Sequence, residues 1–518
     1  MKRRDFVKAS LGLPAAGLAA VPAAVGQGLE PASRPRPGIL ELAGQKQLFL
    51  DDWMIEEANR ISRFMYRPWK YPGNPILQRD RPWEMGDASE YFRGVQIFGQ
   101  SVLYDQEDKI FKMWYLPWGF RDGSRLWCHA VSEDGYNWEK PELGIYDFQG
   151  SKQNNIMANF GDPNYFNVIK DPHDPDPQRR YKALGEQEGP VPNHTGGAAV
   201  AFSPDGLHWT PWPGNPVIRH GANLGDGPTM MGWDPLRKKH VLYPRPGHPL
   251  AMEIHGNGVH RHIRTIGYSE SDDFVHWTPT RIMLAPDRND RVDYQYMCFT
   301  AGVTAGIYVG FLWMHETHEQ VWDIFLMTSR DGFNWSWVDR KVPFLGRGEI
   351  GSYDAGYMSP NGPIFHDGKI WIYYCAFSGA HSYRPSKLGS RNDISIALAT
   401  LPEDRWLGLL AGPFQGTILT RPFTFTGSKL MLDIDASLPM ELPKSYRNFD
   451  ECEVRGAMVD PSGGSIEGFS LEQSIPLLES GRQELRWRDA QVSQLEGKPV
   501  RLRLAMRAAA LYSLQFVS

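Results

Sequence analysis

The sequence predicts an all-β protein, with a five-bladed β-propeller at residues 36–415 and a β-sandwich at residues 416–518. Three observations give this prediction: a turn motif that recurs five times, two strand patterns ahead of each copy, and a change of pattern after Trp406. Self-similarity at a fixed period is the sequence signature of a repeat architecture. Five units of roughly 65 residues fit a propeller, whose blades usually have four strands each.

The turn motif reads Ser-x-Asp-x-x-x-Trp in four copies, and a fifth, eroded copy runs from Thr400 to Trp406. Asp and Ser side chains can bond the backbone of a tight turn, and glycine supplies the positive φ that such turns need. We expect the Trp to close the apolar seam to the next unit. The four full copies begin at Ser132, Ser203, Ser271 and Ser329.

Two β-branched and aromatic runs precede every turn, bounded by Asp-Pro, Asp-Gly or Gly clusters. Such runs are strand signals. In the first unit they are 102–105 and 110–115, and in the last unit 363–367 and 370–374. After Trp406, apolar and polar residues alternate strictly at 430–435 and 500–504. Strict alternation marks half-buried antiparallel strands, so the last hundred residues are predicted to form a sandwich.

The amino terminus predicts an export signal. Arg3 and Arg4 stand ahead of a modestly apolar stretch from Leu11 to Val25, and a Pro-rich spacer follows. A twin arginine in this setting is typical of a Tat signal peptide, here placed at residues 1–35. The apolar run is too short and too interrupted by proline to span a bilayer. We therefore expect a periplasmic or extracellular protein with no stable membrane span.

Charge and motifs narrow the function class. The net charge is −5 and no run of like charge or basic face accumulates, which argues against a nucleic-acid partner. No P-loop, dinucleotide or G-x-S-x-G motif is present, so no cofactor is expected. The histidine-rich stretch 248–262 matches no standard zinc pattern, and no metal site is predicted. Four cysteines without C-x-x-C spacing are expected to be free thiols, and the oligomeric state is left open.

One acidic residue stands upstream of the first strand of each predicted blade. First strands line the central channel of a propeller, so these acids would converge on one mouth, although each is alternatively an ordinary turn residue. Neighbouring carboxylates repel, which raises the pKa of one and leaves another ionised. This difference in pKa between the two carboxyl groups supplies the general acid and the base or nucleophile of glycoside hydrolysis. The five acids are Glu90, Asp162, Asp226, Asp293 and Asp354.

Asp226 and Asp354 are predicted as the catalytic pair, because blades three and five are not adjacent and their acids would face each other across the channel. Glu90 and Asp293 are expected to support them, and Asp162 lies in an ordinary turn sequence.

Further side chains are predicted to bind the substrate. Basic and imidazole groups follow second strands at the same mouth and would bind sugar hydroxyls or an anionic sugar, and two tryptophans would stack on a pyranose. Two more acids lie on an amino-terminal strand that is expected to close the ring or enter the mouth. These residues are Arg245, His315, His381, Trp118, Trp313, Asp51 and Asp52.

Several segments together resemble the exported five-bladed propeller proteins related to glycoside hydrolase families 32 and 43. They are Leu48-Phe-Leu-Asp-Asp52, Asn74-Pro-Ile76, Phe111-Lys-Met-Trp-Tyr115, the turn repeat, and 416–423. The resemblance covers nearly the whole chain after residue 35 and implies a carbohydrate substrate. The family 32 motifs W-M-N-D-P-N-G, R-D-P and E-C-P are absent at the expected places, so the acid and base are not carried over by motif.

The sequence thus predicts a secreted glycoside hydrolase that acts on a poly- or oligosaccharide at the propeller mouth. The alternative is a non-catalytic glycan-binding propeller, which needs aromatic and polar groups but no facing carboxylates. A phosphorylase or lyase on the same scaffold is a third interpretation.

Overall fold

The computed structural model describes residues 38–518 apart from gaps at 87–90, 119–124, 161–163, 188–195, 220–226, 249–252, 256–257, 261–262, 383–386, 390 and 437–451. This part of the chain is built almost entirely of β-strands. It also contains short 3-10 turns at Pro82–Glu84, Pro177–Arg179 and Val492–Leu495. The predicted all-β class is confirmed.

Five short strands begin the described chain. They are β1 (Leu40–Leu42), β2 (Gln47–Leu48), β3 (Ile55–Asn59), β4 (Ile61–Met65) and β5 (Trp69–Lys70).

Five groups of antiparallel strands follow in chain order, and we number them units 1 to 5. Unit 1 contains β6 (Phe92–Gln96), β7 (Val102–Asp105), β8 (Ile110–Trp118), β9 (Leu126–Ser132) and β10 (Ile156–Asn159). Unit 2 contains β11 (Asn164–Lys170), β12 (Tyr181–Gln187), β13 (Gly197–Ser203), β14 (Thr210–Pro211) and β15 (Ile218–Arg219).

Unit 3 has a small excursion between its second and third strands. It contains β16 (Thr229–Asp234), β17 (Lys239–Tyr243), β18 (Gly247–His248), β19 (Glu253–His255), β20 (Gly258–His260), β21 (Ile263–Arg264), β22 (Ile266–Ser271) and β23 (Arg281–Leu284). Unit 4 contains β24 (Tyr294–Thr304), β25 (Ile307–Glu316), β26 (Val321–Ser329) and β27 (Trp335–Trp337). Unit 5 contains β28 (Tyr357–Pro360), β29 (Ile364–His366), β30 (Lys369–Phe377) and β31 (Asn392–Pro402).

Each unit runs first strand, second strand, third strand and outer strand. In units 1 and 5 the first strand is divided into two pieces, β6 with β7 and β28 with β29, which pair with the same second strand. The outer strand of unit 5 comes from the amino-terminal part of the chain, because β5 and Leu77 pair with β31.

Hydrogen bonds between the first strands connect the five units in a closed circle. Asn167 accepts from the Gln100 N–H (2.9 Å) and donates to the Pro228 carbonyl (3.1 Å). Thr229 and Thr300 donate in the same way to the next unit, at Phe299 (2.6 Å) and Pro360 (3.4 Å). Asn361 of unit 5 completes the circle by accepting from the Ser101 N–H of unit 1 (2.7 Å). Buried polar groups need such partners, so these bonds hold the centre of the molecule together.

The predicted turn chemistry is confirmed in the four full copies. In each, the Ser hydroxyl accepts the N–H three residues on, and the Asp Oδ1 accepts the N–H groups two and three residues on, at 2.7 to 3.1 Å. Gly206 has a φ of +79°, as the turn requires. The third copy has Phe274 at this position, with a φ of +70°.

The strands described after unit 5 are β32 (Leu407–Ala411), β33 (Gly416–Thr420), β34 (Phe423–Phe425), β35 (Lys429–Asp435), β36 (Glu453–Val459), β37 (Gly481–Leu485), β38 (Arg501–Arg507) and β39 (Ala509–Val517). β34 pairs in parallel with β1, and the others form two further antiparallel sheets. One sheet has the order β37-β35-β39-β32-β4, with β2 also on β39, and the other has the order β3-β33-β38-β36.

The amino-terminal strands therefore pair largely with the carboxy-terminal part of the chain. Residues 48–52 were expected to close the ring or enter the mouth, but β2 pairs with β39, and the ring is closed by β5 and Leu77 instead. Asp51 and Asp52 therefore follow a strand that belongs to the carboxy-terminal sheets. In addition, β4 pairs with β32, which lies ahead of the predicted domain boundary at residue 416.

No helix in the described ranges is long and apolar enough to cross a membrane. The thiol prediction is confirmed, since all four cysteines are unpaired; Cys128, Cys298 and Cys375 are buried, and Cys452 is partly exposed.

Candidate functional site

The five units have two distinct ends. At the end that we call the mouth, first strands begin, second strands end and third strands begin. At the opposite end, which we call the turn end, each third strand runs into the repeated turn. Because the strands alternate in direction, residues that are far apart in the sequence meet at the mouth.

Two arginines of unit 3 reach across the mouth to the first strand of unit 4. The Arg245 guanidinium is buried and donates to the Met297 carbonyl at 2.9 Å. Arg264 donates to the Gln295 amide oxygen at 2.8 Å. Burial lowers the pKa of Arg245, the nearby Cys298 and Glu186 act to raise it, and the positive charge of Arg264 acts to lower it. A guanidinium remains charged after such a shift, so the mouth has a strong local positive charge.

Glu186 is a mouth carboxylate that the sequence interpretation missed. It lies near the end of β12 and its Oε2 accepts the Gly227 N–H at 3.1 Å. Its charge also favours the charged form of Arg245. A usable signal was present, because Glu186 follows the β-strand pattern 181–184 of unit 2, much as Arg245 follows the second strand of unit 3.

His315 and His381 lie together with two aromatic rings of units 4 and 5. The His381 ring is 5.8 Å from that of His315, 5.2 Å from Trp322 and 5.6 Å from Tyr357. Burial, with the positive charges of Arg264 and Arg245, lowers the pKa of His381 to about 4. His381 is therefore neutral at pH 7, where one ring nitrogen donates a hydrogen bond and the other accepts one. The two predicted histidines and Arg245 share one region.

The aromatic cluster continues into unit 1. Tyr357 stacks on Phe377 with ring centroids 3.9 Å apart, and the Tyr91 hydroxyl donates to the Ala380 carbonyl at 2.7 Å. Trp118 is half-buried and lies edge-on to Phe92 at 6.0 Å. Tyr91, Tyr357 and Phe377 are buried, whereas Phe92 and Trp118 are partly exposed, and such rings near polar groups are typical of ligand sites.

Two of the predicted acids have cations of their own. Asp293 is bound by Arg291 (2.8 Å), which also pairs with Glu316 (3.0 Å). Asp354 is buried and pairs with Lys70 of β5 at 2.5 Å, and it accepts a hydrogen bond from Tyr374 at 3.2 Å. Neither carboxylate contacts the other in the described ranges. The Lys70 pair links Asp354 to the outer strand of unit 5, which favours a structural role for it.

Three predicted binding residues lie away from the mouth surface. The Trp313 side chain is fully buried against Phe98 (5.2 Å), so it cannot stack on a sugar. Asp51 forms a two-pronged ion pair with Arg330 in the turn of unit 4, at 2.9 Å for both contacts. Asp52 pairs with Arg63 of β4. Both acids thus lie at or near the turn end.

Glu90, Asp162 and Asp226 lie outside the described residues, as do the side chains of the histidine-rich stretch from His248 to His262. Asp226 is, however, the sequence neighbour of Gly227, whose N–H binds Glu186. Among the described residues no group of His, Cys, Asp or Glu side chains could hold a metal ion.

The mouth therefore combines a carboxylate, two arginines, a neutral imidazole and aromatic rings. Carboxylate and imidazole groups can accept and donate protons or bind hydroxyls, and arginine forks can hold hydroxyl or carboxylate oxygens. The set is suited to a polar ligand with many hydroxyl groups.

Comparison with known proteins gives no family for the chain. No family model matches it and no curated protein matches it. Among solved structures it is similar to an N-acetylgalactosamine deacetylase from F. plautii in complex with blood group B trisaccharide, with 15% identity, a TM-score of 0.44, and coverage of 67% of this chain and 97% of that one.

Two further structures are similar at the same level. One belongs to the GH130 family of mannoside phosphorylases, which contains glycoside hydrolases that target β-1,2 mannosidic linkages in Candida mannan; it is 15% identical, with a TM-score of 0.37 and coverage of 69% and 97%. The other is a Bombyx mori GH32 β-fructofuranosidase, 11% identical, with a TM-score of 0.39 and coverage of 86% and 95%. At this level of similarity we transfer no residue role and no substrate.

Proposed function

We propose that the chain is an exported glycoside hydrolase that cleaves a poly- or oligosaccharide at the mouth. We take the five units to be the blades of a propeller and the two later sheets to be a sandwich. The observation that carries the proposal is the meeting of Glu186, Arg245 and the neutral His381 beside aromatic rings. Hydrolysis of a glycosidic bond needs carboxyl groups within a site that also binds sugar hydroxyls.

Glu186 and Asp226 are the carboxyl groups that we assign to the reaction. Asp226 precedes Gly227, which binds Glu186, and this adjacency supports a pair at the mouth. The sequence predicts Asp354 as the second member, but its buried ion pair with Lys70 supports a structural role. One carboxyl group would protonate the leaving oxygen, and the other would attack the sugar or activate water.

The remaining mouth residues would bind and orient the sugar. His381 is neutral and can donate to one hydroxyl while accepting from another. Trp118, which is partly exposed, offers its ring to the sugar. Arg245 and Arg264 would bind hydroxyls or the acidic group of an anionic sugar.

The test is to screen the purified protein, without residues 1–35, against plant and algal polysaccharides for reducing-end release. Glu186→Gln and Asp226→Asn should each abolish turnover while the thermal midpoint stays near that of the wild type. Full activity in both variants on an identified substrate would refute the assignment. Phosphate dependence or an unsaturated product would instead identify a phosphorylase or a lyase.

A glycan-binding protein without catalysis is the second candidate. It is favoured by the ion pairs of Asp293 and Asp354, which leave two of the five predicted acids with cations of their own. Binding of an oligosaccharide that survives unchanged after long incubation, and that Glu186→Gln does not weaken, would support this candidate over the hydrolase.

Export through the Tat pathway is part of the proposal and rests on Arg3 and Arg4 ahead of the apolar stretch. Replacing both arginines by lysine should retain the protein in the cytoplasm. Unchanged export of that variant would contradict a Tat signal.

A further inference from the structure

A cavity of about 200 Å³ lies at the turn end, where the fifth turn meets the sheet of β35 and β39. Met431 and Asp433 project into it from the face of β35 opposite the buried Leu430 and Leu432. The cavity is lined by Lys46, Glu403, Asp404, Met431, Asp433, Arg482, Ser513 and Gln515.

Asp404 does not occupy the position of the Asp in the other four turns, because it stands two residues before Trp406 and the equivalent position, four residues before it, is Pro402. In those turns the Asp Oδ1 accepts backbone N–H groups, whereas the Asp404 Oδ1 has no hydrogen-bond donor among the described residues. Asp404 is only 6% exposed and its Oδ2 pairs with Lys46 at 2.6 Å. A buried carboxylate oxygen without a donor costs free energy, which a ligand hydroxyl in the cavity would recover.

The charges that line the cavity favour a neutral ligand. Asp433 is held by both prongs of Arg405, at 2.6 and 2.9 Å. The remaining charged residues that line the cavity are two cations, Lys46 and Arg482, and two carboxylates, Glu403 and Asp404, so their charges balance. A metal ion would be repelled by the cations and an anion by the carboxylates.

The donors and acceptors of the cavity suit adjacent hydroxyl groups. Arg482 binds the Gln515 amide oxygen at 2.7 Å, which leaves its other N–H groups toward the cavity region, and Ser513 adds a hydroxyl. At about 30 Å³ per water molecule, the volume holds about seven waters, which is room for one sugar ring. The half-exposed Glu403 (52% of its side chain) and the exposed Arg482 leave a way in from solvent.

We propose that this cavity is a second carbohydrate site, which binds one neutral sugar residue through Asp404, Arg482 and Lys46. A sugar hydroxyl would donate to the Asp404 Oδ1, and the two cations would donate to neighbouring hydroxyl oxygens. The site lies at the opposite end of the units from the mouth, so it would hold a glycan without cleaving it. It rests on the proposed function only in taking the ligand to be a carbohydrate.

The experiment is a titration of the full chain with methyl glycosides of neutral hexoses and pentoses, followed by ligand-observed NMR. We expect at least one glycoside to saturate the protein, and Asp404→Asn and Arg482→Ala each to weaken it at least about tenfold, because a hydrogen bond to a charged group is lost. Arg482 is exposed, so its variant should fold even if Asp404→Asn does not. Arg486→Ala, also exposed but outside the cavity, is the matched control and should bind as the wild type does.

Three results would overturn the second site: no neutral glycoside binds at tens of millimolar, binding is equal in Arg482→Ala and Arg486→Ala, or only calcium or a charged sugar binds. Failure of the mouth proposal gives a different result. Glu186→Gln would then leave turnover unchanged, or no turnover would exist, while neutral glycosides still bound and Arg482→Ala still weakened them.

Discussion

The turn end and the mouth belong to the same strands, yet they differ in how strictly they repeat. At the turn end, four units use the same Ser and Asp bonds at nearly equal distances. At the mouth, units 2, 3 and 4 present Glu186, Arg245 and His315 from the ends of their second strands. A structural need that is the same in every unit keeps the same residues, whereas a site needs a different group from each unit. Variation within a repeat therefore locates the site better than the repeat itself.

The largest effect is expected at the mouth, from Glu186→Gln. The amide keeps the size of the side chain and can still accept the Gly227 N–H, but it cannot exchange a proton. Loss of a general acid or base typically costs 10²- to 10⁴-fold in rate, so we expect a fall in kcat of that order. Initial rates on the substrate found by screening measure it.

Glu316→Gln is the control for this comparison, because Glu316 ends the second strand of unit 4 but pairs with the exposed Arg291. Its activity should stay within a few-fold of the wild type. Equal losses in both variants would mean that position at the mouth end, and not proximity to Arg245, decides the effect.

The next effect concerns stability and tests the role of Asp354. Lys70→Met leaves the buried Asp354 carboxylate without its cation, which we expect to cost about 3 to 5 kcal/mol of unfolding free energy. Asp354→Asn should cost less, because Lys70 is partly exposed and can turn to water. Urea unfolding of both variants and of the double variant measures the difference.

Turnover of Asp354→Asn below its unfolding temperature should be near that of the wild type. If Asp354→Asn remains folded but loses turnover, Asp354 is a member of the catalytic pair. Its ion pair with Lys70 would then not mark it as a structural residue.

The turn repeat made most of the fold predictable from the sequence. Each Ser-x-Asp turn is local, so its bonds are decided by residues within four positions, and the strands before it follow from their β-branched and aromatic runs. The pairing of β2 with β39 and of β5 with β31 joins residues that are hundreds of positions apart, and no local pattern specifies it.

The site was predictable only in part, for the same reason. Arg245, His315 and His381 were found because they follow second strands, and they do lie together. The pairing of Asp354 with Lys70 depends on the ring closure by β5, and the burial of Trp313 depends on Phe98 of another unit. Such contacts between distant segments decide whether a carboxylate or a ring is available to a ligand.

A smaller effect is expected at the turn end, from Asp331→Asn. Burial acts to raise the Asp331 pKa, but hydrogen bonds from Asn334 and Phe333 hold it at about 2. A carboxyl group with a lowered pKa stabilises the fold above its unfolded pKa, near 3.9, and this contribution is lost as the pH falls toward 2. We expect a loss of about 1 kcal/mol at pH 7 that shrinks below pH 4. Thermal midpoints at pH 7, 5 and 3.5 measure it, and a loss that does not change with pH would contradict the explanation by charge.

The smallest effect, with the opposite sign, is expected from Asp404→Asn in the fifth turn. Burial raises the pKa of Asp404 although Lys46 pairs with it. A carboxyl group with a raised pKa stabilises the folded state most below its unfolded pKa, and this contribution is lost as the pH rises through the folded pKa. At pH 7 the ionised Asp404 is therefore a cost, which a neutral amide of the same size avoids. We expect a change between zero and about 1 kcal/mol in favour of the variant at pH 7, measured by urea unfolding beside Asp331→Asn. A loss as large as that of Asp331→Asn would show that the Asp404 carboxylate makes a net stabilising contact in the folded state. Its Oδ1 would then not be the unsatisfied acceptor that the proposed sugar site requires.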